Sequence, residues 1–228
     1  MNLKTVDAMS VARQVINNNL TLVKEPLFTC LYDLAPRLKE VDGDVVEAGV
    51  WQGGYSIFLA HLFPYKKIWL CDSFDGFQPV EQSKYRAANP ADEVHNPSYA
   101  GWIKVDIDTV KENLTKFNLS EGHRIKFLKG WVKDTLDKET CPIEKVAILR
   151  IDVDAYGATY EVLENMYEKV TSGGVIIFDD YSIKESKEAT HDFFNNNNID
   201  IPDLIVPSEQ YKVGLPNDKY NGAYMFKP

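Results

Sequence analysis

Short apolar runs alternate with segments of helical period along most of the chain. Five of these runs are rich in Val, Ile and Leu, at positions 45–46, 67–71, 125–128, 146–151 and 175–178. Each run precedes a polar or glycine-bearing turn, which is typical of buried parallel strands joined by crossover helices. The pattern predicts an α/β fold in which a doubly wound, mostly parallel sheet carries helices on both faces.

Between these runs, apolar residues recur at steps of three and four, the spacing of one buried helix face. Helices are predicted over 55–63, 107–117, 160–170 and 183–194. Gly173-Gly174 are expected to end the third of these helices and turn the chain into the fifth strand. Positions 204–206 and 223–226 are predicted to form a closing antiparallel pair.

Two segments fall outside this rhythm. Residues 1–40 are predicted to form a helical cap before the first strand, and residues 74–104 form a long connection in which three prolines lie among five aromatic residues. Long connections in compact domains are often lids or binding loops. We interpret 74–104 as a candidate lid or acceptor loop containing His95, with a packed surface loop as the alternative. No linker divides the chain, so residues 1–228 are expected to form a single domain.

Composition narrows the classes of function. The chain is 44% hydrophobic and 26% charged, as in ordinary globular proteins, and has no apolar run that would span a bilayer. Its formal net charge of −9 works against binding to nucleic acid or to an anionic membrane. Cys30, Cys71 and Cys141 are too widely spaced to suggest a disulfide framework or a zinc site. Without an apparent secretory signal, a cytoplasmic location is expected, the expected partner is a small molecule, and a homo-oligomer is left open.

A glycine-bearing turn follows the first strand, and an acid ends the second. Glycines at a strand-to-helix turn let backbone N–H groups approach a polar ligand, as Gly49, Gly53 and Gly54 could do here. Asp72, at the tip of the second strand, stands where nucleotide-binding α/β folds place the acid that accepts hydrogen bonds from ribose. The two features together favour a nucleoside cofactor over a tight turn without a ligand.

Two pairs of aspartates follow the fourth and fifth strands. Asp152 and Asp154 come directly after the fourth strand, and Asp179-Asp180 follow the fifth. Four carboxylates at one edge of a sheet would repel one another unless a cation or protons neutralised them. Oxygen ligands favour a hard ion such as Mg²⁺. A single Asp after a strand is more often a helix cap or turn residue, but the two pairs together favour a metal.

Four stretches of the sequence resemble a known family in matching order. VVEAGVWQGGYSIFLA, IWLCDSFDGF, FLKGWVKDTL and LRIDVDAYGATYEVLENMYEKVTSGGVIIFDDY are similar to the macrocin O-methyltransferase family of antibiotic sugar methyltransferases. The resemblance covers most of residues 41–185. It implies the class I methyltransferase fold, a Rossmann-like sheet of seven strands with the last antiparallel. It also implies Mg²⁺-dependent methyl transfer from S-adenosylmethionine to a hydroxyl of a sugar, a glycosylated natural product or a glycan.

Matched residue by residue, the resemblance also implies roles for individual side chains. Mg²⁺ would be held by Asp152, Asp179 and Asp180, and Asp154 would be the base. The cofactor-binding set would be Glu47, Gly49, Gly53, Gly54, Ser56, Asp72, Ser73, Gly130, Trp131 and Asp152. The sequence departs from the family pattern at Gln52, where an arginine is usual, and at Gly157, where an acid is usual. These departures concern the acceptor more than the reaction.

Two other functions fit part of the same pattern. The string LRIDVD superficially resembles the start of the haloacid dehalogenase phosphatases, in which the first aspartate is a nucleophile. That motif usually opens its domain, whereas three strands are predicted before it here, and the glycine turn and Asp72 would have no role. The second alternative is a protein that binds S-adenosylmethionine but does not catalyse transfer.

Overall fold

The structure is a computed structural model that describes residues 7–77, 85, 103–200, 204–207 and 222–228. Within these ranges helices and strands alternate along most of the chain. In chain order they are α1 (Ala8–Asn17), α2 (Glu25–Leu38), β1 (Asp44–Ala48), α3 (Gly54–Leu62), β2 (Ile68–Asp72), α4 (Ile107–Lys116), β3 (Ile125–Lys129), α5 (Val132–Thr135), β4 (Val146–Ile151), α6 (Tyr156–Met166), β5 (Val170–Phe178), α7 (Lys184–Asn196) and β6 (Ala223–Phe226).

The strands form one sheet in the order β3-β2-β1-β4-β5-β6. Strands β1 to β5 are parallel, and β6 pairs with β5 in the antiparallel direction. Among the described residues the expected seventh strand is a single bridge, in which the backbones of Ile205 and Tyr224 exchange hydrogen bonds of 2.9 and 3.0 Å. The antiparallel pairing predicted for the two closing segments is therefore confirmed, and the sheet has the expected class with six full strands.

Alternating residues of the strands feed two separate cores. Val45 and Ile148 pack under α1 to α4, whereas Val46 and Leu149 pack under α5 to α7. Because successive side chains of a strand point to opposite faces, a fully apolar strand must be covered on both sides. The prediction of helices on both faces is confirmed, and the carboxyl ends of β1, β2, β4 and β5 are left to converge at one edge.

The start of β5 differs from the prediction. Helix α6 ends at Met166, a single 3₁₀ turn covers Tyr167–Lys169, and β5 already begins at Val170. Gly173 and Gly174 therefore lie inside a strand and do not end a helix. Gly173 has a φ of 81°, and the pairing of β4 with β5 shifts register across this stretch. A glycine inside a strand commonly marks such an irregularity, so the glycine pair was misread as a helix stop.

The segments flanking the sheet are described in part. Helices α1 and α2 occupy much of the predicted cap 1–40, and no described helix is long and apolar enough to cross a membrane. Most of the predicted lid, including His95, lies outside the described residues. Residues 74–77, 85 and 103–104 of it are described, and the ring centroid of Tyr85 lies 4.2 Å from that of Tyr160 on α6.

Candidate active site

A cavity of about 210 Å³ opens at the carboxyl edge of the sheet. Its wall brings together the turn after β1, the tip of β2 and the aspartates after β4 and β5. Residues 20–24, which connect α1 to α2, complete one side. In open α/β sheets ligands bind outside the carboxyl ends of the strands, where the strand order reverses. Here that place is between β1 and β4, and residues that follow both strands line the cavity.

Asp72 organises the turn between β1 and α3. Its Oδ2 accepts hydrogen bonds from the backbone N–H of Val50 at 2.7 Å and of Trp51 at 3.3 Å. Its Oδ1 accepts from the N–H of Phe74 at 2.7 Å. A carboxylate bonded to several N–H groups is held in one orientation. The residue predicted to contact ribose thus also fixes the shape of the turn.

The glycines of this turn allow the backbone of β1 to approach its neighbours closely. Gly49 has a φ of 88°, and a Cβ at this position would lie 1.7 Å from the backbone oxygen of Asp152. A Cβ on Gly54 would lie 2.3 Å from the oxygen of Leu20, which accepts the N–H of Gly54 at 3.0 Å. The glycines therefore serve packing between backbone segments as well as any contact with a ligand.

Three of the predicted aspartates form a compact cluster. Asp152, Asp179 and Asp180 each offer a carboxylate oxygen, and these atoms all lie within 4.8 Å of one another. Asp154 has a φ of 55°, and its backbone N–H donates to Oδ2 of Asp180 at 3.0 Å. All four residues line the cavity. The structure thus brings together every residue assigned to the metal or to the base.

Burial and mutual repulsion make the ionised cluster unfavourable. Burial, with the charges of Asp152 and Asp179, raises the pKa of Asp154 to about 7. Burial, partly offset by Arg150 and reinforced by Asp152, raises the pKa of Asp179 to about 6. The pKa of Asp180 is raised well above its ordinary value by burial and by its three aspartate neighbours. Carboxyl groups in this state bind either protons or a cation.

A buried arginine lies behind the cluster, and sequence reasoning missed it. Arg150, on β4, is 1% exposed and contacts Oε1 of Glu47 at 2.8 Å through Nη1. Its Nη2 lies 2.7 Å from Oδ2 of Asp152 and 2.8 Å from Oδ1 of Asp179. Burial alone would lower the pKa of Arg150, and the three carboxylates raise it well above its ordinary value. The available signal was a single charged residue within the apolar strand 146–151.

The remaining predicted cofactor residues divide into two groups. Gly49, Asp72, Ser73, Trp131 and Asp152 line the cavity. In contrast, Glu47, Gly53, Gly54, Ser56 and Gly130 lie outside its lining. Glu47 is fully buried between Arg150 and Ser56, whose hydroxyl donates to its Oε2. The segment 20–24 lines the cavity although the sequence pattern did not single it out.

The residues present fit both groups that the predictions call for. The three-aspartate cluster supplies only oxygen ligands, which suits a hard divalent ion. Nη2 of Arg150 lies 2.8 Å from Oδ1 of Asp179, so the other carboxylate oxygen of Asp179 is the one left for an ion. Gly49 lines the cavity together with Asp72 and Asp152. A Cβ at this position would collide with the backbone of Asp152, so no side chain from residue 49 occupies the cavity. This leaves space for a ligand beside the aspartates.

Comparison with known sequences identifies relatives of the chain. The sequence model of the macrocin O-methyltransferase family matches residues 27–206. The chain is 35% identical over 167 residues to the mycinamicin III 3''-O-methyltransferase of Micromonospora griseorubida, covering 70% of this chain and 63% of that protein. It is 35% identical over 172 residues to the demethyldecarbamoylnovobiocin O-methyltransferase of Streptomyces niveus, covering 73% and 63%. The matched part therefore spans less than two thirds of the length of these relatives.

A solved structure agrees with these matches. The O-methyltransferase NovP superposes with a TM-score of 0.75 at 26% identity, over 91% of this chain and 81% of that chain. The class I methyltransferase fold expected from the sequence is confirmed. The region matched by the family sequence model also includes β4 and residues 152–154. The phosphatase interpretation of these residues is therefore without support.

Proposed function

Because the chain belongs to the macrocin O-methyltransferase family, we propose that it is an enzyme that methylates a hydroxyl of a sugar or of a glycosylated natural product. The methyl donor is S-adenosylmethionine, and a divalent ion, Mg²⁺, assists. One observation carries the proposal: a single cavity is lined both by Asp72 with the glycine turn and by the four aspartates. A nucleoside-type site thus adjoins a hard-ion site.

The donor binds at the β1 and β2 side of the cavity. Asp72 presents its carboxylate there, held by the backbone of Val50, Trp51 and Phe74. Oδ1, which accepts only the N–H of Phe74, keeps a second lone pair for a ribose hydroxyl. Trp131 lines the same side and offers an apolar surface for the adenine. Ser56 donates a hydrogen bond to Glu47, and Glu47 contacts Arg150. These buried contacts hold β1 and the start of α3 in place next to the donor site.

Asp152, Asp179 and Asp180 would hold the metal ion. When bound, Mg²⁺ would lower the pKa of an acceptor hydroxyl and fix its orientation. The protein prepares this site by gathering three carboxylates whose oxygens lie within 4.8 Å of one another. Positioning and charge neutralisation then supply most of the catalysis, as is usual when a group is transferred in line between two held reactants.

Asp154 acts as the general base. Asp154 lines the cavity beside the three clustered aspartates without being one of them, so its carboxylate is left to accept a proton from an acceptor held there. The left-handed backbone at Asp154 and the hydrogen bond from its N–H to Asp180 fix this residue at the cavity wall. Its carboxylate accepts the acceptor's proton as the oxygen attacks the methyl carbon, while the bond from that carbon to the donor sulfur breaks and S-adenosylhomocysteine leaves.

The experiment that tests this function is a methyl-transfer assay on the purified protein. Donor with a labelled methyl group is incubated with a panel of sugar hydroxyl acceptors, including mycinamicin III and demethyldecarbamoylnovobiocin, with and without chelator. We expect transfer that chelator abolishes and added Mg²⁺ restores. Donor binding by calorimetry without transfer to any acceptor would instead indicate a non-catalytic binding protein. Release of phosphate from an aryl phosphate would restore the phosphatase interpretation.

Replacing Asp154 by asparagine should separate binding from chemistry. Asn keeps the shape of the side chain and tolerates the left-handed backbone, but it accepts no proton at neutral pH. We expect Asp154→Asn to bind donor normally and to lose about 10²- to 10⁴-fold in kcat, the usual contribution of a general base. Asp192→Asn is the matched control, because Asp192 accepts a hydrogen bond from Tyr156 outside the cavity lining. Near-normal kcat in Asp154→Asn would remove this residue from the base role.

A further inference from the structure

Arg150, which is buried but also lines the cavity, contacts two of the three residues assigned to the metal. It lies between Glu47 on β1 and Ile177 on β5 in the register of the sheet. It is 1% exposed, whereas the side chains of Asp152 and Asp179 are 28% and 14% exposed. The arginine is thus more deeply buried than the two aspartates that it contacts.

The guanidinium is held rigidly in this position. Nη1 contacts Glu47, which is itself fixed by the hydroxyl of Ser56. The guanidinium carbon lies 4.1 Å from the centre of the Tyr55 ring, on α3. A planar guanidinium with a fixed fork of donors matches carboxylates in one geometry, unlike the compact ammonium of a lysine. Arg150 therefore acts as a fixed template for the two aspartates.

The contacts involve one particular oxygen of each aspartate. Nη2 lies 2.7 Å from Oδ2 of Asp152 and 2.8 Å from Oδ1 of Asp179. An oxygen this close to a buried cation is shielded from a second cation. Oδ1 of Asp152 and Oδ2 of Asp179 are the atoms left for a metal ion. Each aspartate can then offer one oxygen only.

Single-oxygen coordination distinguishes between divalent ions. Mg²⁺ takes six ligands at short distance, commonly one or two carboxylates with several waters, whereas Ca²⁺ takes six to eight and often binds carboxylates through both oxygens. We propose that Arg150 is a positioning residue that restricts Asp152 and Asp179 to one metal-facing oxygen each, so that the site selects Mg²⁺ over Ca²⁺. This inference rests on the proposed metal-dependent function.

The test is the ratio of the Ca²⁺ to the Mg²⁺ dissociation constant, measured by titration calorimetry without donor or acceptor. We expect the wild-type protein to prefer Mg²⁺. In Arg150→Lys the charge remains but the fork is lost, so one or both aspartates can bind Ca²⁺ through both oxygens. Residues that orient metal ligands typically change metal affinity by about 10- to 100-fold, so we expect the ratio to fall at least about tenfold.

A matched control makes the same change elsewhere. Arg124, half-buried before β3, donates to the backbone oxygen of Ala60 at 3.1 Å, and no carboxylate contact of its side chain is recorded among the described residues. Arg124→Lys should leave the ratio unchanged. If Arg150→Lys folds, as judged by circular dichroism, and the ratio does not move, the role of Arg150 is overturned. If the wild-type protein binds neither ion, the metal site itself is overturned, which is a separate result.

Arg150→Lys could fail to fold, because it weakens a buried charge network. Glu47→Gln then decides, since it keeps the shape of the side chain and removes only the charge that anchors the guanidinium on the side opposite the aspartates. We expect the ratio to shift in the same direction, by about threefold or more but less than in Arg150→Lys. A Glu47→Gln protein with the wild-type ratio would overturn the proposal.

Discussion

The two halves of the cavity handle carboxylates in opposite ways. At the β2 tip, one aspartate meets several backbone donors, since Asp72 accepts from Val50, Trp51 and Phe74. At the β4 and β5 tips, four aspartates lie together and one arginine, Arg150, contacts two of them, Asp152 and Asp179. The pKa of both Asp154 and Asp180 is raised, mainly by burial. In the first half, backbone hydrogen bonds stabilise the carboxylate without any added ion. The second half has four carboxyl groups and one arginine, and a cation would balance the remaining negative charge.

This difference teaches how the two halves divide the work. Backbone N–H groups are a permanent part of the protein, so the Asp72 half, where the methyl donor is proposed to bind, is organised by the fold alone. Carboxylates facing one another are tolerated only when protons or a metal neutralise them. The donor side should therefore respond to changes in backbone packing, and the aspartate side to pH and to ions. Three experiments test this division.

The largest effect is expected where the halves meet. Gly49→Ala would place a Cβ 1.7 Å from the backbone oxygen of Asp152, and neither backbone can move without breaking the sheet. We expect a loss of more than about 4 kcal/mol in the free energy of unfolding, or no folded protein. Urea denaturation measures this loss.

Gly173→Ala is the control for backbone strain. Gly173 also has a positive φ, of 81°, but a Cβ there meets nothing within 4 Å. The cost should therefore be that of the left-handed conformation alone, about 1 to 2 kcal/mol. Equal losses in the two variants would show that Gly49 serves conformation only, and that the close approach of β1 to β4 is not required.

A divalent ion is expected to have the next largest effect. An ion that binds only the folded state stabilises it by about 2.7 kcal/mol at 100 times its dissociation constant, which in a chain of 228 residues raises Tm by roughly 5 to 10 °C. Differential scanning fluorimetry at pH 8 with Mg²⁺ or with chelator measures this rise. No rise with any divalent ion would contradict the assignment of the aspartate half.

The same measurement has a defined pH dependence. The pKa of Asp154 is raised to about 7 and that of Asp179 to about 6 in the folded state. A carboxyl group whose pKa is raised by folding stabilises at low pH, and this stability is lost as pH rises through the folded value. With chelator, these groups should lower Tm as pH rises from about 4 to about 7. With Mg²⁺ the loss should be offset, so the Mg²⁺ effect grows with pH. Asp180→Asn should weaken both trends.

The sequence predicted the elements that depend on local pattern. Short apolar strands such as 146–151 were placed correctly from their composition. The aspartates that follow two of them come together as expected, because strand ends in a parallel sheet meet at one edge. Gly173-Gly174 was misread, since the same dipeptide suits a helix stop and an irregular strand, and only pairing with β4 decides between them. The partners of Arg150 depend on three strands at once, which no local pattern encodes.

The smallest effect is expected at the tip of β2. Asp72→Asn keeps one acceptor oxygen and replaces the other carboxylate oxygen with an NH₂ group. This NH₂ group would face backbone N–H groups whose hydrogen bonds the replaced oxygen had accepted. One side of the side chain must therefore lose its hydrogen bonds, at a cost of about 1 to 2 kcal/mol. Asp75→Asn is the control, because exposed Asp75 pairs only with the similarly exposed Lys104 among the described contacts, and such pairs contribute little. Chelator should change Tm by the same amount in Asp72→Asn as in the wild-type protein, since the donor half holds no ion. A smaller chelator effect in this variant would show that the two halves are coupled through the turn.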